Sequence, residues 1–576
     1  MKRTLERSQP YGVLAVLTIM ALLLGVNNLL AEDQESKEQE AEAVLVETEL
    51  NREGRELLTF LEQYEEEYRK MYCDVSYSWW DAMITGDAKA FEKNAAMSLA
   101  MSTYHSDAEK FARLTELRKR ATGLTKLQER EAYVAWRAFE QSQLPPDLME
   151  KMIRMGSEIE QIFQTQRGSL DGKEYTNNEL LEMLEDETDS DRRFRIWDAL
   201  KQVGELVAPK LIELAKVRNE AARQLGYKNY WEMEVAFQDY DPEALTAIFD
   251  ELEELTTPVF TKVKAEMDAE LKEKFKVTRI MPWHYDNPFF QQAPPSKDVD
   301  TNIFYDQGTG QDIVDRSIQY YADLGIDVTP IIEKSDLFEK PGKSQHGFCN
   351  NMNGEGDVRI LCNIKPTAEW MDTQLHEMGH AIYDYQVDRT LPFILRQPAH
   401  IFTTEGVAMM FGALARDPDW LVKYCDVSPK KAKEIAPALA KQRLREQLIF
   451  CRWTLVMFRF ERALYENPEA DLNTLWWDTV EKIQLMPRPE DRHLADWASK
   501  PHFVIAPVYY HNYMLGELFG AQLRATLRDQ AGTEQEFGRL LREKVFFPGD
   551  SLPWQEFVRE ATGKEFSAEA FAEELK

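Results

Sequence analysis

MDTQLHEMGHAIYDY, residues Met371–Tyr385, is the stretch that decides how the rest of the chain is read. It sits in a helical pattern running from about Thr367 to Val387, behind the helix-starting Pro366. His376 and His380 are four apart, which on a helix places both imidazoles on one face, one turn from each other, able to hold one tetrahedral zinc at about 2 Å. Glu377 lies beside them, where it can take a proton from water at the metal. The bland alternative is a surface helix that happens to carry two histidines. Leu375, Met378 and Ile382 argue against it, because they give the helix a buried side next to the histidine pair.

A catalytic zinc needs a third protein ligand and one open position. Glu405, in IFTTEGVAMMFGALARD, completes a His₂Glu set; it begins a second helical pattern that Thr403 or Thr404 can cap, and Gly406 allows a close helix approach. A glutamate there could also serve only the helix dipole. His400, in a loop after Pro398, is the rival ligand.

Working outward, most of the chain carries apolar residues at intervals of three and four, as in Leu206, Val207, Leu211, Leu214 and Val217, so the fold class is mainly α with minimal β-structure. Strand signals are few and stand out around Gly347–Cys349 and Val358–Ile364. The loop Ile280–Asp298, with prolines among aromatics, is the clearest break in the helical text and reads as a hinge or the wall of a cleft. No repeat of solenoid length and no basic tract is found. Residues 56–576 read as one helical zinc metallopeptidase domain, preceded by an acidic spacer at 32–55.

The first 31 residues read as a signal peptide or signal anchor: Lys2, Arg3 and Arg7 make a basic head before the apolar run Val13–Leu24. Export, to a periplasmic or extracellular location with possible membrane anchoring, is the expectation. In that oxidising setting Cys349 and Cys362, flanking the turn-forming NNMNGEGD, are the expected disulfide, whereas Cys73, Cys425 and Cys451 fall in helical patterns. The net charge of -31 would repel a polyanion, which excludes nucleic acid as a partner.

Beyond the zinc motif, several islands resemble the angiotensin-converting enzyme family of peptidyl dipeptidases. They are FEKPG at Phe338–Gly342, the pair Cys349 and Cys362, Trp476-Trp477, Lys500-Pro501-His502, Tyr510 and Tyr513, Pro553-Trp554-Gln555-Glu556, and VRNEAARQLGYKNYWEM at Val217–Met233. The resemblance implies a large helical ellipsoid of two lobes around a deep cleft, with a gluzincin-type site and one zinc per chain. It also implies that Lys500 and Tyr510 hold the terminal carboxylate of an oligopeptide substrate, while His502 and Tyr513 support the oxyanion. Dipeptide release from the C-terminus follows, with Glu377 as the base.

Departures accompany the resemblance. The spacing from His502 to Tyr513 is one residue longer than usual, so Tyr509 competes with Tyr510. Met409 stands where an acidic residue usually orients a zinc histidine. Val480 and Asn512 stand where chloride-binding arginines are expected, which speaks against chloride dependence. Asn350 and Asn351 follow the first cysteine, and His284 is the position inspected in place of the carboxylate-binding glutamine. The alternatives are a general oligopeptidase similar to the thimet oligopeptidase family, or an inactive peptide-binding protein.

Overall fold

Helix boundaries follow local chemistry already visible in the sequence. Asp241-Pro242 opens a helix over Pro242–Phe275, the Asp241 carboxylate accepting from Glu243 and Ala244 N–H at 3.0 and 2.8 Å, and Ser428-Pro429 opens Pro429–Glu466 in the same way. The computed structural model describes residues 49–294 and 299–576. In it the chain is mainly α-helical, with two small antiparallel hairpins, Gly168–Leu170 with Lys173–Tyr175 and Phe348–Asn351 with Val358–Leu361. The first helix, Arg52–Thr85, starts inside the stretch read as spacer. The signal segment lies outside the described residues. Among the described residues no helix is long and apolar enough to cross a membrane.

Among the described residues the two largest hydrophobic cores organise the fold. A large one runs without interruption from Ile159 to Leu575 and includes Leu375, Met378 and Ile382 of the HExxH helix, Ala368–Gln386. A smaller one gathers Leu57, Phe60, Leu61 and Phe139 from the N-terminal helices onto Ile394 and Leu395, just beyond that helix. The N-terminal layer is also tied to the far end of the chain. Buried Arg130 forms an ion pair with buried Asp550, donates from Nε to the Asp550 carbonyl at 3.2 Å, and stands 3.4 Å from Asp239.

The second hairpin corrects one expectation: Cys349 and Cys362 are free thiols. The register explains why. Cys349 stands opposite Ile360, so Cys362 is its diagonal neighbour, and diagonal positions lie about 7–8 Å apart, beyond the Cβ separation of about 3.5–4.5 Å that a disulfide needs. Burial holds both thiols well above the ordinary value, which keeps them protonated and inert.

Candidate metal centre and cleft

Backbone contact brings three helices together at the motif. The HExxH helix meets the glutamate helix, Ile401–Gly412, at Gly379, where a Cβ would stand 2.8 Å from Ala408 Cα. The glutamate helix in turn meets His511–Leu523 at Gly406, where a Cβ would stand 2.7 Å from the Gly516 carbonyl. Side chains larger than hydrogen would push the donors apart.

The consequence is a cluster in which the donor atoms of His376, His380 and Glu405 all lie within 4.8 Å of one another. The two Nε2 atoms are 3.2 Å apart, and Glu405 Oε2 is 3.8 and 3.9 Å from them. Donors on one tetrahedral zinc stand about 3.3–3.5 Å apart, given bonds of about 2.0–2.2 Å, so the three can hold a single ion of that kind. Burial, reinforced by His376, lowers His380 to about 3, and burial also lowers His376 against the pull of Asp372. Both imidazoles are therefore neutral, which is the ligand form. Burial raises Glu405 to about 7. Burial and the nearby Glu405 raise Glu377 to about 8, countered in part by the Cys349 N–H. A dication would offset that upward push.

An orienting group for a zinc histidine is present, though not at Met409. Thr404 Oγ1 lies 2.6 Å from His380 Nδ1. Thr404 is free to do so because the helix cap is His400, whose Nδ1 accepts from Phe402 N–H at 3.3 Å while its Nε2 bonds the Gln238 carbonyl at 2.6 Å. With both nitrogens engaged, His400 is not a metal donor.

The remaining sequence-chosen residues gather in one connected cluster. Lys500, buried, donates from Nζ to Gln291 Oε1 at 2.6 Å and lies 5.1 and 5.5 Å from the ring centres of Trp453 and Tyr510. Among the described residues it has no acidic partner, and burial lowers it to about 8. The Tyr510 hydroxyl accepts from Trp453 Nε1 at 2.7 Å, and its ring is 5.1 Å from His502 and 5.5 Å from Tyr513. Tyr513 in turn feels the Glu405 charge. His502, lowered to about 4 by burial and by Lys500, has a buried Nδ1 without a partner.

Between His502 and Tyr510 the chain turns through Val508 at φ 52°, a left-handed conformation rare for a β-branched residue, pinned by its N–H to Glu461 at 2.9 Å. Tyr510 thereby faces Lys500, while Tyr509 is the tyrosine that feels Glu405 along with Tyr513. His284 is a satisfied core residue, bonded to Ser190 and to Met281 N–H at 2.8 Å each. Gln291, seven residues on, is the amide that reaches the clamp. Val480 is core, and Asn512 is spent on Tyr240 and Gln238, both at 2.7 Å.

Alongside His376 opens a chamber of about 1030 Å³, walled by the HExxH helix, the helix Pro429–Glu466 and the loop residues Ala293 and Val299–Thr301. Ala293 of the Pro-rich loop thus forms part of the cleft wall.

A helical body with a His₂Glu donor set, a carboxylate beside it and an aromatic-lined cationic clamp defines a metallopeptidase class. Residues 51–574 match the family described as "Angiotensin-converting enzyme", and the chain belongs to that family. A similar curated protein is Carboxypeptidase 1 of Bacillus subtilis (strain 168), 21% identical over 374 residues, covering 59% of this chain and 68% of that one.

Proposed function

We propose that the protein is a zinc-dependent peptidyl dipeptidase that removes dipeptides from the free C-terminus of oligopeptides. The observation that carries this reading is a buried ammonium, Lys500, with no acidic partner among the described residues, linked by the Tyr510–Tyr513 ring contact to the half-buried His₂Glu cluster. The relative named a carboxypeptidase supports action at a C-terminus.

His376, His380 and Glu405 would hold the ion, and zinc at that place supplies Lewis-acid chemistry. Glu377 takes the proton of the attacking water and passes it to the leaving amine. Tyr513 O–H and a His502 N–H donate to the carbonyl oxygen as charge develops on it. Lys500 and the Tyr510 O–H, with the Gln291 amide beside them, grip the terminal carboxylate by charge-assisted hydrogen bonds, which sets the register of cleavage.

Mass spectrometry of products from one peptide, with free and with amidated C-terminus, tests this. Dipeptides from the free acid alone support it. Single residues favour a simple carboxypeptidase, and internal cuts indifferent to amidation favour a thimet-like oligopeptidase. Absence of bound zinc and of turnover leaves only a peptide-binding protein. From the basic head and apolar run of residues 1–31 we also infer export, which cell fractionation checks.

A further inference from the structure

The chamber beside His376 holds a carboxylate that nothing in the mechanism uses. Glu517 lies one turn beyond Tyr513 on the helix His511–Leu523, so both project from one face, and it lines the chamber. It makes no hydrogen bond and no ion pair among the described residues. The neighbouring cations are otherwise placed. Arg524 is held by Glu574 through two bonds of 2.7 Å, Arg416 is held by Asp372 at 2.6 Å, and Arg443 is exposed on the rim. Burial holds the Glu517 carboxyl above its ordinary value, outweighing the attraction of Arg524 and Arg443.

The chamber adjoins the clamp. Phe450 in its wall stands one turn before Trp453, which bonds Tyr510, and Ala293 is two residues from Gln291. A peptide held by its carboxylate at Lys500, with its cleaved bond at the metal cluster, therefore has the side chains of its last residues at this chamber.

We propose that Glu517 is a specificity-determining residue that receives a Lys or Arg side chain from one of the two substrate residues on the C-terminal side of the cleaved bond. The inference rests on the peptidase reading above. The long stem of such a side chain packs on the apolar wall, and its charged head meets a carboxylate that makes no hydrogen bond and no ion pair among the described residues.

The test is a set of free-acid peptides that differ only in carrying Lys, Leu or Glu at each of those two positions, assayed as kcat/KM with the zinc-loaded protein. At one position Lys is expected to exceed Leu by about tenfold, and Glu by more. In Glu517→Gln the Lys-to-Leu ratio should collapse toward unity, and in Arg443→Ala, which removes the competing rim cation, it should grow. A purely structural role for Glu517 would lower all peptides alike and leave the ratio intact, which overturns the proposal, as does a wild-type ratio near unity at both positions. Failure to cleave any peptide overturns the peptidase reading and takes this inference with it, whereas equal cleavage of all of them overturns this inference alone.

Discussion

At one end of the cleft, buried Glu377 stands with half-buried His376, His380 and Glu405, and loss of water drives every one of them toward its neutral form, the carboxyls up to about 8 and 7. At the other end Lys500 is buried against a neutral amide and aromatic rings, and the same loss of water pulls it down to about 8. The two ends are opposite in sign and alike in cause. Each holds a group whose desolvation the protein leaves uncompensated, the first suited to a dication and the second to a carboxylate. Where a fold strips charge of water and offers nothing in return, a ligand is what restores the balance.

Five measurements break or sharpen that contrast. The largest effect is expected from His380→Ala, which should lose stoichiometric zinc by mass spectrometry together with all measurable turnover. Glu377→Gln should keep its zinc and lose about 10²–10⁴-fold in kcat, and retention of turnover would remove the base from the metal end. Lys500→Met should leave zinc content intact and cost about a hundredfold in kcat/KM on free-acid peptides, confining the damage to the clamp end. The same lysine gives a pH limb. It is cationic below about 8 and neutral above it, so kcat/KM should fall by about tenfold one pH unit above that value, and Lys500→Met should lack the limb. The smallest effect on turnover at saturating zinc is expected from Thr404→Val, which removes the hydroxyl at His380 Nδ1 and should weaken zinc binding by about 10–100-fold in a chelator competition.

The two ends were also unequally legible. The metal end is written in five contiguous residues plus a glutamate at a helix start: helical periodicity puts His376 and His380 on one face, and the donor chemistry of a His₂Glu set points to Glu405. The clamp end is assembled from a loop, a long helix, a short turn and a helix start, and single Lys, His and Tyr residues carry no periodic signal; only resemblance pointed to them. Gln291 was missed because it lies in an aperiodic Pro-rich loop, where His284 drew attention and proved to be core. Thr403 and Thr404 both suit a cap by residue type, but the ring of His400 takes that role. The cysteine pair failed because strand register, which set the two thiols diagonally, cannot be read from a turn sequence. Asp171-Gly172 of the first hairpin, both with positive φ, was a turn signal present in the text and overlooked.

The bond between Arg130 and Asp550 joins the beginning of the folded chain to its close. Cutting away either border would strand a buried charge, at a cost of about 3–5 kcal/mol, a large part of what holds an ordinary domain together. The helices that carry the chemistry are therefore braced from both sides, by the helix Lys126–Gln141 and by the segment around Asp550.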